Sequence, residues 1–280
     1  MSPPDRVRSR CVSFLLSHFS VGEPSAPKLG FLLHGALGAG HNLRSIAQKL
    51  VKLRPEYRLV LPDLRHHGAS QGAPPPDTLE ACARDLQTLA ASLGQAPSVV
   101  IGHSFGGKVA LMLASLGQDL EQVWVLDSNP GTQDPEANPE VLRVIEAVRR
   151  TTRGAKDRKT IVNELVEQGL SSGTANWLAT NLKLENGGYV FALDLDAIER
   201  LMRDYFSVDL WPVIESPVGR TTYRLVVAEA SDRWAQPSRE RLTLASQNPR
   251  TPLYVVPNAG HWLHVDNPAY LLSLLSENLG

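Results

Sequence analysis

The stretch Gly102-His103-Ser104-Phe105-Gly106, followed by Gly107, sets one hydroxyl among glycines. A serine hydroxyl is a weak nucleophile alone. It needs a base within hydrogen-bond reach, and that base needs an acid to orient it. The chain supplies both further on. PNAGHWLHVDNP near the C-terminus holds His261 and His264. His261 follows Gly260 directly in a loop after an apolar run, and we take it as the base. His264 reads as a loop or core histidine with its hydrogen bond satisfied, and His103 as a ring packed beneath the serine turn. Two aspartates compete for the acid. Asp232 lies just past YRLVVAEAS and Asp127 just past VWVL. The chain order Ser, Asp, His favours Asp232, with Asp127 as the alternative and as a brace for the loops otherwise. A carbonyl attacked by Ser104 also needs N–H donors for its developing negative charge. The Phe105 N–H, beside the nucleophile, is one candidate. The Ala36 N–H, in the glycine-rich HGALGAGHN, is the other.

These groups must be held by elements that put them on one edge. SVVIGHS reads as a buried strand that stops at the serine, and GGKVALMLASLG as the helix that starts there. Similar short apolar runs recur: KLGFLLHG, RLVLPD, VWVLDS, YRLVVAEASD and PLYVVPNAGH. Helical stretches lie between them, namely HNLRSIAQKLVKL, DTLEACARDLQTLAASLG and the helix after Ser104. Strand and helix in alternation predict a mostly parallel α/β sheet with right-handed crossovers. CVSFLLSHF reads as an N-terminal strand rather than a signal peptide, because Ser and His interrupt it. The alternation breaks from about Pro130 to Val218. NPEVLRVIEAVRR, RKTIVNELVEQG, GTANWLATNLK and DLDAIERLMRDYF all read as helices. The expected organisation is a core of 1–129 and 219–280, with a helical lid at 130–218 inserted after the sixth strand. Trp177, Phe191, Tyr205 and Phe206 of that lid, with Trp262 beside the histidine, are candidate substrate contacts. Packing of the lid against itself and the sheet accounts for its other apolar side chains.

Composition narrows the classes. The chain has 280 residues, 42 % apolar and 20 % charged, with a formal net charge of -1. That is ordinary for one large globular domain. It carries no electrostatic signature of a nucleic-acid partner. No apolar run reaches the ~20 residues of a membrane span. Cys11 and Cys82, far apart and outside any CxxC, fit free thiols in a reducing, cytoplasmic compartment, with an organellar address left open. His66 and His67 in DLRHHGAS point apart and lack carboxylate company, so we assign no metal. Asp63 and Arg65 in the same stretch read as loop braces.

Taken together, these residues resemble the α/β-hydrolase superfamily over nearly the whole chain. HGALGAGHNLRSIA, DLRHHGAS, GHSFGGKVALMLA and PNAGHWLHVDNP are similar to the acyl-esterase and thioesterase group typified by abhydrolase domain-containing protein 11 and the esterase YbfF. The resemblance implies an α/β-hydrolase fold and cleavage of small acyl esters or thioesters through an acyl-serine, without a cofactor. It implies Ser104 as nucleophile, His261 as base, and the Ala36 and Phe105 amides as the oxyanion hole. Relatives differ in which strand tip supplies the acid. Carbon–carbon hydrolysis or elimination of the menaquinone-pathway type, haloperoxidase-like perhydrolysis, and a binding module that keeps the fold are the alternatives. Monomer and homodimer are both compatible with the sequence.

Overall fold

The computed structural model describes residues 14–134 and 140–280. In chain order the first part runs β1 (His18–Val21), β2 (Lys28–Leu33), α1 (Arg44–Leu53), β3 (Tyr57–Pro62), α2 (Leu79–Leu93), β4 (Pro97–His103), α3 (Phe105–Ser115) and β5 (Gln122–Leu126). The inserted segment follows as α4 (Glu140–Arg149), α5 (Arg158–Glu167), α6 (Ser172–Leu178), β6 (Leu182–Glu185), β7 (Gly188–Phe191), α7 (Leu195–Ser207) and α8 (Trp211–Glu215). The chain closes with β8 (Thr222–Ala228), α9 (Gln236–Ala245), β9 (Leu253–Val256), α10 (Leu263–Asp266) and α11 (Pro268–Asn278).

Among the described residues seven strands form one sheet in the order β1-β3-β2-β4-β5-β8-β9. Only β1 runs antiparallel, against β3; the other pairs are parallel. The apolar runs explain this arrangement. Strands such as β5, buried at all five positions, must be covered on both faces, and the crossover helices supply the cover. Parallel strands also bring their C-terminal ends to one edge. Ser104 follows β4 and Asp127 follows β5, and β4 and β5 are neighbours in the sheet. The sheet and the α11 side enclose one apolar cluster, and α2, α3 and the inserted segment enclose the other. Among the described residues no helix is long and apolar enough to cross a membrane.

The structure departs from the sequence expectation in three places. The inserted segment leaves after the fifth strand rather than the sixth, because only β1 precedes β2 among the described residues. It is also not wholly helical. The stretch expected as a helix to Lys183 stops at Leu178, and β6 and β7 form a two-stranded antiparallel hairpin. The N-terminal strand lies later than CVSFLLSHF suggested: among the described residues of that run only His18 and Phe19 belong to β1, which continues to Val21; Cys11 lies outside the described residues. Within the insert, α7 shows why it seats where it does. Asp194 caps its first turn by accepting from the Ala197 N–H at 3.1 Å. Ala197, Ile198, Leu201, Met202, Tyr205 and Phe206 then recur on one face and are buried.

Candidate active site

Ser104 sits on a turn with φ 52° and ψ -119°, a conformation that costs a non-glycine residue about 1–3 kcal/mol. The neighbouring glycines make this turn possible. A Cβ on Gly102 would lie 2.1 Å from the Gly106 carbonyl oxygen, and one on Gly106 would lie 2.6 Å from that of His34. Strand and helix therefore meet more closely than any other residue permits. The turn presents the Ser104 hydroxyl at the sheet edge and makes Phe105 the first residue of α3. Its N–H is one of those that the helix itself leaves without an acceptor.

Two buried histidines shape the facing loop, which contains Ala36. The His34 Nδ1–H donates to the Gly35 carbonyl at 2.8 Å, while its Nε2 accepts from the Leu64 N–H at 3.0 Å. The His67 Nδ1–H donates to the Arg65 carbonyl at 2.9 Å, while its Nε2 accepts from the Leu37 N–H at 3.1 Å. Both rings need to be neutral for these roles. Burial lowers their pKa values to about 4 for His34 and about 3 for His67. His66 turns the other way, to Asp77 at 2.7 Å, so it does have the carboxylate neighbour that the sequence reading did not expect. Asp63 accepts from Gly40 and Ala69, and Arg65 grips Asp85 through two bonds of 2.7 and 3.0 Å. These are the braces expected of that stretch.

The imidazole of His261 lies between a hydroxyl and a carboxylate. Its Nε2 is 3.0 Å from Ser104 Oγ, and its Nδ1 is 2.8 Å from Asp127 Oδ2. Asp127, not Asp232, is thus the carboxylate beside the ring. Asp232 points to solvent with its side chain 78 % exposed, against Arg233. The reason lies in the strand ends. Asp127 follows β5 at once, at φ 47°, which turns its carboxylate inward. Asp232 falls four residues past β8, after the loop has turned to the surface. Asp127 Oδ2 also accepts from Ser231 Oγ at 2.7 Å, and Oδ1 accepts from Trp234 Nε1 at 2.9 Å and the Ala228 N–H at 3.2 Å. Burial acts to raise its pKa, but the hydrogen bond and charge of His261, with Ser231 and Trp234, outweigh it and lower the value. The carboxylate stays ionised, and by accepting from His261 it holds the ring's proton on Nδ1. Nε2 then accepts from the serine.

His103 packs beneath the turn and works from there. Its Nε2–H donates to the His261 carbonyl at 2.8 Å, which fixes the loop carrying the imidazole. His264, 5.0 Å from the His103 ring, is half-buried, and its buried Nδ1 has no hydrogen-bond partner, contrary to the satisfied bond expected of it. Burial lowers its pKa to about 4. Glu229 is a brace as well, accepting from the Asn258 N–H at 2.9 Å.

Two small cavities open on Ser104. One, of about 60 Å³, is walled by Ala36, Phe105, Met202, Tyr205, Phe206 and Arg233 among others. The second, of about 100 Å³, lies between Ala36, Val144, Trp177 and Trp262. Four of the five expected contacts therefore face the serine. Trp177 packs on Trp262 with ring centroids 4.5 Å apart. Phe191 does not face it; β7 carries that ring to a separate cavity of about 320 Å³ with Val148, Ile161 and Leu193. The sequence reading missed Arg233, which borders both cavities at Ser104, and the donors Ser231 and Trp234. All three sit in the SDRWAQPS loop, where Asp232 alone had drawn attention. A further buried cation, Lys108 of α3, donates from Nζ to the carbonyls of Gly131 at 2.8 Å and Tyr205 at 2.5 Å. Burial lowers its pKa to about 7.

Known proteins carry the same organisation. The profile of the alpha/beta hydrolase family matches residues 31–274. The sn-1-specific diacylglycerol lipase ABHD11 of Mus musculus is 31 % identical over 264 residues, which span 92 % of this chain and 82 % of that protein. Esterase YbfF of Escherichia coli strain K12 is 24 % identical over 254 residues, covering 89 % of this chain and 91 % of its own length. A solved marine microorganism esterase superposes with a TM-score of 0.81 at 27 % identity, covering 95 % of this chain and 100 % of that one. The matched stretch runs through the serine turn, both strand tips and the C-terminal histidine, and the chain belongs to the alpha/beta hydrolase family.

Proposed function

We propose that this protein is a serine hydrolase that cleaves carboxylic esters or thioesters by two-step acyl transfer. The observation that carries the proposal is the line Ser104 Oγ, His261, Asp127, with contacts of 3.0 and 2.8 Å. Ser104 attacks the carbonyl carbon as His261 Nε2 takes its proton, and Asp127 stabilises the imidazolium that forms. The Phe105 and Ala36 amides receive the carbonyl oxygen as it becomes negative; one such donor contributes about 3 kcal/mol to the transition state. His261 then protonates the leaving alcohol or thiol. Water, deprotonated by the same nitrogen, releases the acid and restores the serine.

The names of the relatives, a lipase and two esterases, support ester bonds as the substrate class. The segment 130–218 acts as a lid over the core formed by 1–129 and 219–280. Trp177, Tyr205, Phe206 and Trp262 contact the substrate. The small volumes on either side of Ser104 favour short acyl groups while the lid is seated as described. A fluorophosphonate probe tests the mechanism. It labels the wild-type protein and not Ser104→Ala, and 4-nitrophenyl esters of two to eight acyl carbons give highest kcat/KM at the short end. Equal labelling of both proteins refutes the serine assignment.

A further inference from the structure

We infer that Arg233 makes the site selective for esters and thioesters whose acyl chain ends in a carboxylate. This deepens the acyl-serine reading and rests on it. Arg233 borders both cavities that open on Ser104. In the cavity that runs from Ser104 toward Tyr205, the other charged walls are Asp127 and His261, which the reaction itself engages. The remaining walls include Phe105, Val141, Met202, Tyr205 and Phe206. A guanidinium at the edge of such a cavity, with its side chain 22 % exposed, attracts an anion because it offers a planar fork of charged donors.

That fork is only partly used. Nη2 donates to Glu140 of α4. Nε is buried without a hydrogen-bond partner, although Asp232 Oδ1 stands 3.2 Å away. Glu140 itself has a side chain 46 % exposed, so it can turn into water. Its carboxylate shows what the fork accepts and stands where a substrate carboxylate would replace it. The loop backbone is tied to the site: the Arg233 main-chain N–H donates to Ser231 Oγ at 3.2 Å, and that hydroxyl donates to Asp127. The loop that carries the cation is thereby fixed relative to Asp127 and His261. A neutral acyl chain of the same length gains nothing from it and leaves Arg233 on Glu140.

The test compares 4-nitrophenyl hydrogen glutarate with its methyl-capped diester, each corrected with Ser104→Ala for spontaneous cleavage. The wild-type protein prefers the acid over the capped ester by about tenfold or more in kcat/KM, as a charge-assisted hydrogen bond predicts. Arg233→Met brings the ratio to one or below, Arg233→Lys retains part of it, and Glu140→Gln raises it. A wild-type ratio at or below one overturns the inference without any variant, and so does a ratio that Arg233→Met leaves unchanged. If Arg233→Met does not fold, a wild-type preference that Arg233→Lys leaves wholly intact at low and high salt overturns it as well. Turnover of neither ester above the Ser104→Ala blank is a different result, the failure of the acyl-serine reading itself.

Discussion

Asp127→Asn removes one charge and one acceptor, and the surroundings decide which acceptor is lost. Trp234 Nε1 and the Ala228 N–H, at 2.9 and 3.2 Å from Oδ1, can only donate. Ser231, near Oδ2, can rotate its hydroxyl to accept instead. The amide oxygen of the substituted side chain therefore settles on the Oδ1 side, and its NH₂ faces His261 Nδ1. That nitrogen must then accept, the proton moves to Nε2, and Nε2 points it at Ser104 Oγ. The ring is left unable to take the serine proton. A wrong tautomer of this kind costs about 10⁴ in rate, or about 5.5 kcal/mol of transition-state stabilisation. Asp232→Asn touches only an exposed contact with Arg233, and its neutral-ester activity stays within about threefold of wild type. The assay is kcat/KM for 4-nitrophenyl butyrate at pH 7.5, normalised to correctly folded protein. The reasoning is refuted if Asp232→Asn loses more activity than Asp127→Asn, or if Asp127→Asn retains more than about a hundredth of the wild-type rate.

Three further outcomes follow from the same geometry. Ser104→Gly relaxes the strained turn that Ser104→Ala keeps; it is inactive yet unfolds at higher denaturant than Ser104→Ala, by about 1 kcal/mol after the extra chain entropy of glycine is subtracted. Gly106→Ala drives a methyl group against the backbone oxygens of His34 and Leu33, at 2.6 and 2.7 Å; we expect a loss of about 2 kcal/mol or more in urea unfolding together with activity, and a variant with wild-type stability would show the packing to be looser than described. Acid should destabilise the fold through its buried histidines. His34, His67 and His264 have pKa values lowered by burial to about 4, about 3 and about 4, and that of His103 lies well below the usual range. At these rings the unfolded chain binds more protons than the folded one between about pH 6.5 and 4, so their contribution to stability is level above pH 6.5 and falls beneath it. At pH 5 each ring accounts for up to about 2 kcal/mol, and urea midpoints that agree at pH 7 and pH 5 would contradict the neutral assignments.

The serine, its turn and the histidine were legible in the sequence because each needs a particular local pattern. Glycines must flank a turn that would otherwise clash, a buried strand must precede it and a helix must follow. The acid was not legible in the same way. Asp127 and Asp232 both follow apolar strands whose ends share an edge, and chain order alone favours the second. What separates them is the inward turn of the backbone at Asp127 and the donors that Ser231 and Trp234 bring to it, which depend on how β5 and β8 pair. Phe191 was misplaced for a different reason. The apolar spacing of GTANWLATNLK suits a helix, but Asn186-Gly187 between LKLE and GYVF is a hairpin signal. Both residues adopt positive φ, 50° and 81°, and the strand they create carries the ring away from Ser104. Arg233 left no pattern at all, since one arginine in a polar loop looks like any surface charge until α4 of the inserted segment is laid over it.

Lys108 lies on the helix that begins at the nucleophile, and its ammonium fastens that helix to the backbone at both Gly131 and Tyr205. The roof above Phe105 and the floor that carries Ser104 are consequently one rigid piece on that flank. Displacing α7 would strip that buried amine of both carbonyl partners, whereas α4 is tied to the SDRW loop by an ion pair whose Glu140 end is 46 % exposed. The two flanks of the same small chamber are thus fastened by very unequal bonds.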